Sequence, residues 1–407
     1  MSTTTLTKPG PPKRVVKRKK NAARLGRADR SALGRWFWEI DLVLLTLVTV
    51  LISIGLIAVA AASPAAGFRY SDGAVQFQPL HYFYRQMMWL CVGIPVMIGV
   101  SMTPKDLVRR AALIGAGIFF VFLALVPVIG AEANGAKRWI GVGISQFQPS
   151  EFLKPLFVVA MAWVLSLREK DPKLPVYTIT GAITVVIAGL LMKQPDLGQT
   201  VIFMMVWFAL LTLAGAPMGA LGGLVGLGIG GIVAAYFFYP VATLRINNFL
   251  FQDGDTYQVD SAHRTLTAGG LFGSGPGAGQ MKFRLPEPHT DYIFSVIGEE
   301  FGLIACLAIA ILYAAIVVRV CLKLLHEEDQ FTLLAAAGLV TQLGLQAFIN
   351  MAVNVNLAPS KGMTLPFISY GGSSMIALSM GFGLLLAFTR RNPYLNRSPY
   401  IVKWNNR

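Results

Sequence analysis

The stretch LPEPHTDYIFSVIGEEFG, residues 285–302, runs from a proline-bounded polar segment into an apolar one and carries Asp291, Glu299 and Glu300 within ten residues. On a helix starting at Asp291, Glu299 stands about 80° around the axis and Glu300 nearly opposite, both roughly 12–14 Å along it. The pair therefore cannot share a substrate atom with Asp291. At the mouth of the helix, Asp291 has the chemistry of a general base, because partial burial of a carboxylate raises its proton affinity. The glutamates lie where lipid makes an unpaired charge cost about 2.5 kcal/mol or more, so at least one is expected to meet a cation inside the protein.

Other groups could serve the same chemistry. NGAKRWIGVGISQFQPSEFLKP, residues 134–155, sets Lys137 and Arg138 beside Trp139. Trp139 fits an interfacial anchor, but two adjacent cations in a short outer loop run against the positive-inside trend and are accounted for by an anionic partner. Gln148-Pro149-Ser150-Glu151 reads as a helix start, with Ser150 as N-cap and Glu151 in the first turn. KQPDLGQT, residues 193–200, places Lys193 and Asp196 between two apolar runs. A turn accounts for Pro195 and Gly198, and Asp196 could pair with a cation in the bundle. VNVNLAPSKGMTLPFISYGGSS, residues 353–374, reads as a tightly packed or re-entrant loop, which explains its Pro, Gly and Ser but not Lys361.

These residues need elements to position them, and the composition says which. The chain has 407 residues, 55% of them apolar and 14% charged, a balance that belongs to polytopic membrane proteins. Apolar windows of about 20 residues, long enough to span a bilayer core, recur at 40–62, 84–102, 110–130, 151–168, 176–192, 197–214, 217–239, 291–320, 331–352 and 373–390. The expected fold is all-α with about ten transmembrane helices. Its longest connection, an outer loop at 240–290, lies between the seventh and eighth helices.

The first apolar run exceeds a signal-peptide core and starts far into the chain, so it is expected to stay as a span. A ten-helix domain over 38–392 then separates a disordered basic tail at 1–37 from a C-terminal tail at 393–407. Residues 1–35 hold eleven Lys and Arg against Asp29 alone. With no folded reader module or aromatic interleaving, this arm does not indicate nucleic-acid binding. It follows the positive-inside rule and puts both termini in the cytoplasm. The candidate groups then face outward.

The three cysteines and four histidines show no ligand spacing, so no protein-held metal is expected. GGLFGSGPGAG, residues 269–279, lacks the preceding strand and the following Lys-Ser or Lys-Thr helix of a phosphate-binding loop. It reads as a flexible, close-packed outer connection.

AKRWIGVGISQFQPSE, KQPDLGQT, LPEPHTDYIFSVIGEEFG and KGMTLPFISYGGSS, in this order, resemble the shape, elongation, division and sporulation family over roughly residues 38–392. The basic arm and the GISQFQPSE wording favour its division branch. The resemblance implies a ten-helix peptidoglycan glycosyltransferase that polymerises lipid II on the outer face of the cytoplasmic (inner) membrane, at the division septum. It implies a class B penicillin-binding protein transpeptidase (FtsI-like) and other division membrane proteins as partners. The catalytic aspartate of the family's HTD motif falls on Asp291. Lys137, Arg138, Gln148, Glu151, Asp196, Gln258, Glu299 and Lys361 are the candidate substrate-binding residues. His263, Arg264 and Asn356 depart from the family's usual wording.

Joining a sugar hydroxyl to an anomeric carbon that bears a polyprenyl pyrophosphate needs a base and cations for the leaving group. Asp291 would supply the first, and Lys137, Arg138 and Lys361 the second. No cofactor motif is evident, although a divalent cation could accompany the pyrophosphate. A lipid flippase would place functional polar groups at mid-membrane and on both faces, and a non-catalytic scaffold would not need Asp291.

Overall fold

The computed structural model describes residues 32–71, 76–133, 136–141, 143, 146–251, 257–359 and 362–390. A short helix α1 (Ala32–Glu39) precedes α2 (Leu42–Tyr70), α3 (His81–Met102) and α4 (Lys105–Ile129). A hairpin of β1 (Ala131–Ala133) and β2 (Ala136–Trp139) leads to α5 (Pro149–Lys170), α6 (Val176–Lys193), α7 (Leu197–Leu213) and α8 (Met218–Phe238). The chain continues through α9 (Pro240–Leu250) and α10 (Tyr257–Ala268) to α11 (Ile293–Leu324), α12 (Gln330–Asn354) and α13 (Gly372–Thr389).

Among the described residues, nine helices are long and apolar enough to cross a membrane, and the 17-residue α7 is a shorter apolar helix. The protein is a multi-pass, all-α membrane protein apart from the small hairpin.

Burial sorts the helices. About three quarters of the apolar windows of α5, α12 and α13 are buried, and these three pack on one another at the centre. In α8 only Leu221 is buried. Helices α2 to α5 each contain a proline, at 64, 95, 127 and 155, which membrane helices tolerate when neighbours satisfy the freed backbone groups.

At the end of the bundle away from the hairpin, Asp41 caps α2 by accepting from Val43 N and Leu44 N. It also receives Arg319 at 3.0 Å and Lys323 at 2.8 Å from the last turns of α11. Lys323 donates to Thr389 O as well, fastening the end of α13.

The structure corrects three sequence expectations. The connection at 240–290 is not a single loop but holds α9, α10 and a 3-10 turn at Met281–Phe283. Gln148, not Ser150, is the N-cap of α5, with Pro149 in the first helical position, where a missing N–H costs nothing. Asp291 precedes α11, which starts at Ile293.

The glycine-rich stretch after α10 repairs a break in α11. Gly302 sits inside α11 at φ 81°, outside helical geometry, which frees carbonyls before it and amides after it. The carbonyls of Glu299 and Glu300 accept from Ser274 N (2.8 Å) and Gly275 N (3.0 Å). Leu303 N and Ile304 N donate to the carbonyls of Gly270 and Leu271. Four backbone groups that apolar surroundings would leave unsatisfied are thus paired. The approach is so close that a Cβ at Gly269 would lie 2.0 Å from Gly298 O, and one at Gly273 2.2 Å from Glu300 O. The stretch is close-packed, as expected, but held by main-chain bonds rather than free to flex.

Candidate functional site

Asp291 is half-buried in the turn between the 281–283 segment and α11. Its carbonyl accepts from Asn350 Nδ2 (2.9 Å) and Asn354 Nδ2 (3.1 Å), one turn apart on α12. Asn350 also donates to Met363 O, and Asn354 Oδ1 receives Ser295 N and Oγ. The two asparagines therefore clamp the Asp291 main chain between α11 and the 362–370 segment. The carboxylate points toward that segment: a Cβ at Gly362 would lie 3.3 Å from Asp291 Oδ2. Lys361 lies outside the described residues.

Sequence reasoning missed these asparagines. The signal was present, because Gln342, Gln346, Asn350 and Asn354 recur every four residues in an otherwise apolar run. That spacing makes one polar stripe on a helix, and in lipid such a stripe faces inward.

Behind Asp291 lies an aromatic cage. The His289 ring is 4.1 Å from that of Tyr82, 5.3 Å from Tyr370 and 5.9 Å from Tyr70, centroid to centroid. The His289 carbonyl accepts from Tyr370 N (2.8 Å), and Ser369 Oγ donates to Thr290 O (2.6 Å). Glu287 accepts from Tyr70 Oη (2.6 Å) and Thr290 Oγ1 (2.8 Å).

Burial pushes the His289 imidazole down to about 4, with the nearby Glu287 charge opposing the shift. The unfolded chain then takes up the proton first, near 6.5. Stability from the neutral ring is complete above that pH and drains away as pH falls toward 4, by roughly 3 kcal/mol in all. His289→Phe should flatten the decline. Thermal unfolding from pH 8 to 4.5 checks this against the wild type, in which His81, Glu287 and the tyrosines Tyr70, Tyr82 and Tyr370 also face the cluster. Equal slopes in the two proteins would refute it.

The deeper acids are engaged by the protein. Glu299 accepts from Met281 N (2.7 Å) and Lys282 N (2.9 Å). Glu300 pairs with Lys282, whose ammonium also reaches Ala61 O (3.0 Å). All three side chains are buried. The cation expected to meet the glutamate pair is therefore Lys282, which sequence reasoning left unassigned.

The hairpin brings a second cluster together. Lys137 is exposed on β2 opposite Glu132. Arg138 turns inward and donates from Nε to Gln194 O (3.0 Å) and from a terminal nitrogen to Pro195 O (2.5 Å). Asp196 caps α7 by accepting from Gln199 N and also receives Gln148 Nε2 (3.1 Å). Burial raises the Asp196 pKa, while the positive charge of Arg138 pulls it back.

Gln199 Nε2 donates to Glu151 Oε1 (2.5 Å), Lys154 sits 2.9 Å from Glu151 Oε2, and Lys154 Nζ donates to Gln346 Oε1 (2.9 Å). Gln346 in turn donates to Thr364 O (3.0 Å), next to the Met363 carbonyl held by Asn350. A buried polar chain thus runs from the hairpin corner through α7, α5 and α12 to the Asp291 clamp. Glu151 Oε2 faces the Lys154 ammonium, and Gln342 Oε1 has no hydrogen-bond donor among the described residues. Glu151 and Gln342 line a cavity of about 20 Å³, the size of one water.

Of the predicted site residues, Arg138, Gln148, Glu151 and Asp196 gather in this chain. Glu299 sits apart, bound to the 281–282 main chain, and Gln258 is exposed on α10. Among the described residues no group of three or more His, Cys, Asp or Glu could hold a metal ion.

Comparison with known proteins agrees with this architecture. The model of a family described as cell cycle protein, covering FtsW, RodA and SpoVE, matches residues 41–394. A Caulobacter vibrioides protein named probable peptidoglycan glycosyltransferase FtsW is 40% identical over 369 residues, 90% of this chain and 93% of that one. Stage V sporulation protein E of Bacillus subtilis is 32% identical over 87% of this chain and 98% of its own.

Among solved structures, a chain of a peptidoglycan synthase complex superposes with TM-score 0.72 at 28% identity, covering 86% of this chain and 97% of that one. The rod shape determining protein RodA of Thermus thermophilus gives 0.63 at 28% identity, covering 86% and 96%. With the family model spanning the whole membrane domain and a relative so similar over nine tenths of the chain, this protein belongs to the FtsW, RodA and SpoVE family of cell cycle proteins.

Proposed function

We propose that this protein is a peptidoglycan glycosyltransferase that polymerises lipid II into glycan strands on the outer face of the cytoplasmic membrane during septal wall synthesis. Both termini are cytoplasmic, and a class B penicillin-binding protein transpeptidase works beside it. The names of its relatives support the activity, and the description of the superposable complex, which couples polymerization and crosslinking, supports the partner. The observation that carries the reading is the half-buried Asp291 held by Asn350 and Asn354, joined by a polar chain to the Arg138 corner.

In this reading Asp291 takes the proton of the acceptor sugar hydroxyl as the new C–O bond forms at the anomeric carbon of the donor. The bond from that carbon to the pyrophosphate oxygen breaks, and the leaving group departs with the electron pair toward Lys137, Arg138 and Lys361. Two bonds to carbonyls leave Arg138 further N–H donors for a phosphate oxygen. The HTD turn needs no helix dipole from α11 to fix it, since its main chain is already bonded on both sides.

Purified full-length protein, alone and with its transpeptidase, should convert labelled lipid II in detergent to glycan polymer. Translocation of lipid II across vesicles with no polymer formed in either format would replace this reading with a flippase.

A further inference from the structure

A groove of about 400 Å³ opens between α4, α5 and α6, and every residue lining it is apolar. Ala116, Gly117 and Phe120 of α4 face Phe157 and Ala160 of α5 and Ala182 of α6 across it. The volume falls within the roughly 300–1,000 Å³ of ligand pockets. On α5 its lining starts four residues after Pro149, and on α6 it ends six residues before Lys193. At about 1.5 Å per residue it begins roughly 6–9 Å below the hairpin end of the bundle. Directly above that end, Arg138 is bonded to the carbonyls that follow α6, with the exposed Lys137 beside it.

Cations over an apolar slot match an amphiphile with an anionic head and a hydrocarbon tail. The small residues at 116, 117, 160 and 182, on three facing helices, give the slot the width that branch methyls require. An unbranched acyl chain needs no such width.

We propose that this groove holds the proximal isoprene units of a polyprenyl pyrophosphate, whose head lies at Lys137 and Arg138. The assignment deepens the proposed function and rests on it for the identity of the lipid.

The test is a binding measurement that does not depend on turnover. Undecaprenyl pyrophosphate and geranyl pyrophosphate, the latter too short to fill the groove, are titrated onto the purified full-length protein and followed by native mass spectrometry. Gly117→Leu fills the groove without a clash, because a Cβ at Gly117 meets nothing within 4 Å. It should weaken undecaprenyl pyrophosphate roughly tenfold, the effect of about two buried methylene groups, and leave geranyl pyrophosphate unchanged.

Gly99→Leu and Gly189→Leu, equally open but outside the groove lining, should change neither. Lys137→Ala should weaken both ligands alike. A Gly117→Leu protein that binds both ligands as the wild type does, or loses both equally, would overturn the assignment and leave the groove to bulk lipid. Loss of the proposed function would show instead as absence of glycan polymer from wild-type protein, whatever the binding result.

Discussion

Asp291→Asn abolishes glycan polymerisation, with a fall of roughly 10²–10⁴ or more, as expected when a general base is removed, while the protein inserts and folds as before. The substitution is nearly isosteric, and the bonds from α12 go to the main chain at this position. The carbonyl that Asn350 and Asn354 bind is unchanged, and Gly362 leaves room beside Oδ2. What changes is the capacity to take a proton. Turnover of labelled lipid II by purified wild type and variant, with thermal unfolding of both, separates the two effects. Wild-type polymerisation by Asp291→Asn would remove Asp291 from the chemistry, and a collapsed unfolding transition would make it structural.

The polar chain fixes Asp291 relative to the rest of the site. Asn350 bridges Asp291 to Met363, and Gln346, one turn earlier on α12, bridges Lys154 to Thr364. The segment 362–370 is therefore set by the same helix that sets Asp291, and the hairpin corner is tied to it through Glu151, Gln199 and Asp196. Asp291 and Arg138 are thus connected to one another by side chains of the bundle.

Much of this was legible in the residues. The ten apolar segments follow from hydropathy alone, because a bilayer imposes both length and composition on a helix. Asp291 and Arg138 stood out because charge at such places needs a reason. The partners were harder to read. Lys282 lies in a segment, GQMKFRLPEPH, with no periodicity, and only the fold of the glycine-rich stretch carries it to Glu300. The helices α9 and α10 were hidden because α10, TYQVDSAHRTLTA apart from its first residue, has too few apolar residues to show a stripe. Ser150 drew the N-cap assignment by residue type, yet Pro149 at the first helical position moves the cap to Gln148. The His289 cage joins residues from α2, α3, the Asp291 turn and the 365–370 segment, a pairing over distances that no local pattern encodes.

Glu300→Ala and Lys282→Ala should each destabilise the protein by about 3–5 kcal/mol, the effect of leaving one member of a buried ion pair without its counter-charge. Both side chains are essentially inaccessible. Neither has a charged substitute among the described residues: Lys282 keeps the Ala61 carbonyl and the Phe283 ring, and Glu300 the Gly277 amide. The loss should spread beyond the pair, because the same segment supplies the amides that complete α11 at its Gly302 break. The double variant Lys282→Met, Glu300→Leu removes both charges and keeps most of the volume, so it should recover much of the stability lost by either single alanine variant. Thermal unfolding of the four proteins in one detergent measures the coupling. If the double variant is as unstable as the two single losses added together, the pair is not a closed charge unit and Lys282 must serve another anion. If it is restored, Glu300 serves the bundle as the structural counter-charge of Lys282.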